Sequence, residues 1–236
     1  MTPLFASAKL QGMDVHNIAL ISKLKGIPRA RLLRVARAVE TQVNRDFAPF
    51  WKKRCKIHVM DESQPLPKSW WPITIKARTP KPTSDGYHDV KQGRPFAFVF
   101  YSRSWPLTFS HEVLEMLGNP FAKNTVKGPW PPPHHQTRIV HYDMEMCDPV
   151  EDARYGYLID GIKLSDFITP AYFGLKSKEP QRFSFRRTLH AAYTLSRKGF
   201  QGFTDNDGQA WTAERWGTKK VNINPSRQPR RRHPHH

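Results

Sequence analysis

One short stretch carries residue types at a spacing that can hold and use a metal ion. In Ser110-His111-Glu112-Val113-Leu114-Glu115-Met116-Leu117-Gly118-Asn119-Pro120, His111 and Glu115 stand four residues apart. On a helix such a pair projects from one face, one turn apart, and Glu112 lies beside that face. The pattern His-Glu-x-x-His uses these positions for two zinc ligands and a glutamate that activates water. Here Glu115 takes the second ligand position. A carboxylate can ligate zinc, so the implied chemistry is metal-assisted hydrolysis, with His111 and Glu115 as ligands and Glu112 as the catalytic base.

Further ligands must come from another segment. Asp143, Glu145, Asp148, Glu151 and Asp152 crowd residues 143–152 of a chain whose formal charge is +18. Such a run is costly unless a cation sits in it, the competing explanation being pairing with Arg138 and Arg154. Glu145 and Asp148 are three apart and share a face if the segment is helical, although Pro149 interrupts it. Glu145 is the favoured third ligand, with Asp148 as its substitute or as an acceptor for the His111 ring. Tyr142, His141 and His88 are alternatives for stabilising an oxyanion, and His134 and His135 are loop histidines that could reach a metal. The cofactor is zinc or another divalent metal. One imidazole among several carboxylates shifts preference towards manganese, calcium or magnesium and weakens Lewis acidity. The same residues therefore also fit a degenerate site that only hydrogen-bonds.

The elements around this stretch read as follows. Pro106 with Thr108 or Ser110 marks a helix start, and Gly118-Asn119-Pro120 marks its stop. From Pro28 to Phe47, Leu32, Leu33, Val35, Ala36, Val39, Val43 and Phe47 recur at helical steps, with Arg29, Arg31, Arg34 and Arg37 on the other face. That face is either simply solvated or faces phosphate. Lys56–Met60, Trp71–Lys76 and Phe96–Tyr101 read as strands. Residues 121–140 read as a long loop, Tyr155–Ile159 as a strand entering the Asp160-Gly161 turn, and Arg182–Leu195 as a further helix. Asp205-Asn206-Asp207-Gly208 lacks the later ligand positions of a calcium loop and reads as a plain turn.

Composition bounds the partners. The 236 residues have 38% hydrophobic content and a pI near 10.2, so an anionic partner is expected: nucleic acid or an acidic protein. Lys219, Lys220, Arg227, Arg230, Arg231 and Arg232 give the C-terminal end a basic, disordered or partner-ordered tail and are the candidate nucleic-acid contacts. No 18-residue apolar run or signal-peptide pattern is visible, and Cys55 and Cys147 frame no disulfide scaffold. A cytoplasmic or virion-associated protein, with no membrane partner, is expected.

Several phrases together resemble a family of bacterial and bacteriophage zincin-like metallopeptidase homologues. They are Ser110–Leu117, Glu145-Met146-Cys147-Asp148-Pro149-Val150-Glu151, and Asp160-Gly161 with Ser165–Phe173. Gln42 with Arg45–Pro49, and Gly202-Phe203 with Trp211-Thr212, fit the same pattern, whereas Asn119 stands where an aspartate is expected. The resemblance implies an α+β, zincin-like domain: a small mixed sheet, a metal-motif helix and a disordered basic C-terminal tail. The expected division is an N-terminal segment 1–26, the domain at 27–217 and the tail at 218–236. The implied function is a metal-dependent peptidase acting on a peptide or protein substrate. The alternative is a non-enzymatic phage or virion structural or assembly protein that contacts nucleic acid through its basic ends.

Overall fold

The computed structural model describes residues 14–78, 84–132, 137–217 and 220–226. The chain opens with β1 (Asp14–Ser22), followed by helix α1 (Arg29–Thr41), a π-helical segment (Gln42–Phe47) and the short helix α2 (Ala48–Trp51). Strands β2 (Lys53–Met60), β3 (Trp71–Lys76), β4 (Gly86–Lys91) and β5 (Arg94–Phe100) complete a five-stranded sheet in the order β2-β1-β3-β5-β4. β1 pairs in parallel with β2 and β3, β3 pairs in parallel with β5, and β4 is an antiparallel edge. Gln92 and Gly93 take positive φ in the β4–β5 turn, as a tight hairpin requires. Ile18, Ala19 and Leu20 are consecutive and fully buried, which marks β1 as covered on both faces. Residues 14–22, set in the N-terminal segment by sequence, are thus central to the first sheet.

Helix α3 (Trp105–Gly118) follows β5 and packs against β4 and β5. A second sheet has the order β12-β11-β10-β7-β6 and is antiparallel throughout. Its strands are β6 (Thr125–Pro129), β7 (Ile139–Asp143), β10 (Phe200–Thr204), β11 (Ala210–Arg215) and β12 (Val221–Pro225). Between β7 and β10, the hairpin of β8 (Tyr157–Ile159) and β9 (Ile162–Leu164) packs its second strand on α3.

The expected α+β zincin-like class with one small mixed sheet is overturned. Twelve strands in three sheets make the described chain β-rich, with helix confined mainly to Arg29–Trp51 and α3. The strands that sequence missed lie in weakly patterned segments: β6 ends in Gly128-Pro129, and β12 occupies residues assigned to the disordered tail. The helix expected over Arg182–Leu195 is absent. Side chains capture the amide groups a helix would have used: Ser184 Oγ accepts from the N–H of Thr188 and of Leu189, and Asp166 Oδ1 accepts from that of Arg186.

Two buried polar hubs fasten these layers. The π-helical segment turns Gln42, Val43, Asp46 and Phe47 inward together. Gln42 Nε2 donates to the Ser165 carbonyl at 2.8 Å and to Tyr157 Oη at 3.2 Å, and Tyr157 donates to Asp46 Oδ2 at 2.9 Å. Asp166 is the second hub. Its carboxylate accepts from the N–H groups of Phe167 (2.8 Å) and Arg186 (2.9 Å) and from Thr188 Oγ1 (3.0 Å). Asp166→Ala strands those donors, a cost of about 1–3 kcal/mol each before relaxation. It lowers the thermal midpoint by roughly 5–10 °C, whereas Asp166→Asn, which keeps Oδ1, shows less than half that loss. Thermal melts of the two variants check this.

Candidate metal centre

α3 is apolar on most of its circumference. Trp105, Phe109, Val113, Leu114, Met116 and Leu117 are fully buried, so the helix lies inside the protein and its polar residues must find partners there. Ser110 Oγ accepts from the Ser165 N–H at 2.7 Å and fixes α3 to the end of β9. Asn119, where an aspartate was expected, accepts from the N–H groups of Lys123 and Asn124 and holds the turn after the helix. Its role is in the backbone and not at the site.

His111, Glu112 and Glu115 face two other segments. One is the edge strand β4, which supplies His88. The other is the loop after β7, which supplies Glu145 and Cys147 and then enters a single 3-10 turn at Asp148–Val150, followed by Glu151. His111 Nε2 lies 3.0 Å from Glu115 Oε1 and 3.4 Å from Asp148 Oδ1, and its Nδ1 lies 3.1 Å from Glu151 Oε2. His88 Nδ1 lies 3.4 Å from Glu115 Oε2 and 3.6 Å from Glu112 Oε2, and its Nε2 lies 3.7 Å from Glu145 Oε2. The four predicted ligands therefore meet at one locus but divide: Asp148 goes with His111, and Glu145 goes with His88.

Sequence reasoning missed the weight of His88 and of Glu151. His88 sits in β4, a six-residue strand that the sequence reading did not assign. Glu151 was visible as part of the acidic run. Its side chain is 40% exposed against 5% for Glu115, so the cluster opens to solvent on the Glu151 side. The suggested arginine pairing does occur, but at Asp152, which meets Arg154 at 3.1 Å. Among the described residues no Lys or Arg pairs with Glu112, Glu115, Glu145, Asp148 or Glu151. Tyr142 donates to the Pro129 carbonyl and packs on Tyr193 and Phe203, away from this cluster. His141 pairs along β7 with Lys127, and His134 and His135 lie outside the described residues. So do Lys219, Arg227, Arg230, Arg231 and Arg232, while Lys220 is exposed just before β12.

The electrostatics follow from five carboxyls and two imidazoles sharing a buried space. Burial pulls the His88 pKa down, but Glu145, Glu112 and Glu115 outweigh it and hold the ring well above the ordinary histidine range. His111 is raised in the same way, chiefly by Glu115 and Glu151. Burial pushes the Glu145 carboxyl up to about 7 and those of Glu112 and Asp148 upwards as well. Glu115 runs the other way: burial opposes its charge, but contact with both imidazoles holds it below the usual carboxylate range. Cys147 also lies within ligand reach of His111 and Glu115; its N–H donates to Glu115 Oε1, and burial pushes its thiol up.

The donor set fits a divalent cation. Three groupings have ligand atoms within 4.8 Å of one another: His111–Glu115–Cys147, His88–Glu115–Glu145 and His111–Asp148–Glu151. Several of the atoms facing inward are buried without a hydrogen-bond partner, among them His88 Nε2, Glu112 Oε2, Glu145 Oε2 and Glu151 Oε2. Orphaned buried acceptors of this kind cost free energy that a cation would offset.

Gly86 makes the approach of β4 to Glu112 possible. A methyl there would stand 2.5 Å from Glu112 Oε1 and 2.9 Å from the Phe98 carbonyl oxygen, the second of which is backbone. Gly86→Ala therefore destabilises the fold by about 1–3 kcal/mol. Gly26→Ala, with nothing within 4 Å of the new methyl, serves as the near-neutral control in denaturant titrations. No protein-family model, curated protein or solved structure matches the chain.

Proposed function

We propose that the α3 cluster binds a divalent metal ion through His111, Glu115 and Asp148 and that the protein is a metal-dependent hydrolase of peptide bonds. The observation that carries this reading is the largely buried imidazole of His111, enclosed by Glu115, Asp148 and Glu151 within 3.4 Å with no Lys or Arg among the described residues to balance them. A cation held there would polarise a substrate carbonyl and acidify water. Glu112 is the base: its side chain is 3% exposed, and Oε2 has no hydrogen-bond partner, so an accepting oxygen is free for a proton. The His88 ring lies beside it, with Nδ1 3.6 Å from Glu112 Oε2, close enough to act on its charge but not to hydrogen-bond. Glu145, the favoured third ligand by sequence, lies 3.7 Å from His88, and Asp148, its named substitute, lies 3.4 Å from His111, which supports Asp148 as the third ligand of this ion. The nitrogen- and oxygen-containing donor set accommodates zinc or manganese.

Metal content and peptide hydrolysis, measured on wild type, His111→Ala and Glu112→Gln, test the reading. Wild type is expected to retain a divalent ion, and His111→Ala to lose at least tenfold in metal affinity. Glu112→Gln should keep the ion while hydrolysis falls roughly 10²–10⁴-fold. Wild-type protein that takes up no ion contradicts the proposal.

A second reading rests on a separate observation. Arg29, Arg31, Arg34 and Arg37 are all exposed on α1, and the chain carries a formal +18. These features support contact with nucleic acid, as in a non-enzymatic assembly or virion component. Affinity for duplex DNA measured against salt is expected to fall steeply. Replacing Arg31, Arg34 and Arg37 by Gln should reduce the slope of log K against log salt by about 2–3. A salt-independent constant would count against this reading. No helix among the described residues is long and apolar enough to cross a membrane.

A further inference from the structure

We infer that the cluster holds two divalent cations, the second bound by His88, Glu115 and Glu145, with the Glu115 carboxylate bridging the pair. This extends the metal-centre reading above and rests on it. The argument begins with the two oxygens of Glu115, which face different imidazoles. Oε1 lies 3.0 Å from His111 Nε2, and Oε2 lies 3.4 Å from His88 Nδ1. The remaining carboxylates sort without overlap. Asp148 and Glu151 approach only His111, whereas Glu145 and Glu112 approach only His88. Each side thus has one imidazole and its own carboxylates, and both draw on Glu115. None of the three ligand groupings combines His88 with His111, which favours separate ions for the two sets.

The His88 side also has an independent mark of a missing ligand. The His88 side chain is 8% exposed, and its Nε2 is buried with no hydrogen-bond partner. That nitrogen points towards Glu145 Oε2, which is likewise unpartnered, at 3.7 Å, too far for a hydrogen bond. Two unsatisfied metal-ligating atoms facing each other across such a gap suit an ion between them better than direct contact. Glu115 and Glu145 supply oxygen ligands within 4.8 Å of one another and of His88. Charge leads to the same conclusion. With both imidazoles neutral and the carboxyls ionised, as metal ligation requires, Glu112, Glu115, Glu145, Asp148 and Glu151 exceed one dication by three charges, and two dications bring the sum to within one. One nitrogen with several carboxylate oxygens on each side matches manganese(II), and carboxylate-bridged pairs of such ions recur in hydrolytic sites.

Stoichiometry decides it. Chelator-stripped protein is titrated with manganese(II), with bound ion followed by calorimetry and by electron paramagnetic resonance. Wild type is expected to take up two equivalents and to show an exchange-coupled signal. His88→Gln and, independently, the partly exposed Glu145→Gln should each bind one equivalent without coupling. His111→Gln should also bind one, and Glu115→Gln should weaken both steps at least tenfold. Saturation of wild type at one equivalent, lost in His111→Gln and unchanged in His88→Gln and Glu145→Gln, overturns the second site and leaves the first standing. Wild type that binds no manganese(II) overturns both.

Discussion

The constraint on which the rest of the structure depends is the crowding of five carboxyl groups, three of them buried, with two imidazoles against α3. Isolated carboxylates would not survive there in ionised form, because removing them from water costs several kcal/mol each. The protein instead gathers them so that each faces a histidine. Glu115 stays charged because both rings reach it, while Glu145 is pushed up to about 7 because it is buried beside other acids. A site of this composition is poised to exchange protons for cations, since metal binding requires neutral imidazole and ionised carboxylate.

Much of the remaining architecture serves to keep that face in register. The first sheet provides β4, whose Gly86 allows close approach and whose His88 closes one side. The second sheet ends β7 so that the following loop crosses α3, where the Cys147 N–H meets Glu115 and the Met146 carbonyl accepts from the Ile168 N–H. Ser165–Phe173 follows the β8–β9 hairpin and is fixed by Asp166, by Trp51 Nε1 on the Ile168 carbonyl and by Gln42 on the Ser165 carbonyl. The phrases that carried the family resemblance divide accordingly. Those at 110–117 and 145–151 build the cluster. Those at 42–49 and 165–173 build the frame around it.

How much of this was legible in sequence follows from the range of the interactions. The α3 helix was readable because its ends and its His111–Glu115 spacing are local, and the acidic run was readable because its members are adjacent. Strands β2 and β3 could be read from alternation and β5 from a continuous apolar run, patterns that are local to each strand. The partition of Glu145 from Asp148 was not readable. They are three residues apart, but the chain between them turns through Cys147 into a 3-10 turn instead of a helix, so the two carboxylates face different histidines. His88 was only one of three alternatives for an ancillary role, because its position depends on a sheet order that brings an edge strand over α3. The second sheet escaped the sequence reading because Pro129, Gly202 and the polar residues of β12 weaken its strand pattern, and the pairing itself supplies the order.

The central claim is that the buried acidic cluster is completed by metal. Its most direct test is the thermal midpoint of chelator-stripped protein measured against free divalent ion concentration. If the ion binds the folded cluster and not the unfolded chain, the midpoint should rise with the logarithm of free ion. At about 100 times the dissociation constant the gain should be roughly 5–10 °C, and His111→Ala should greatly reduce it. A midpoint that stays constant across the titration would contradict the account.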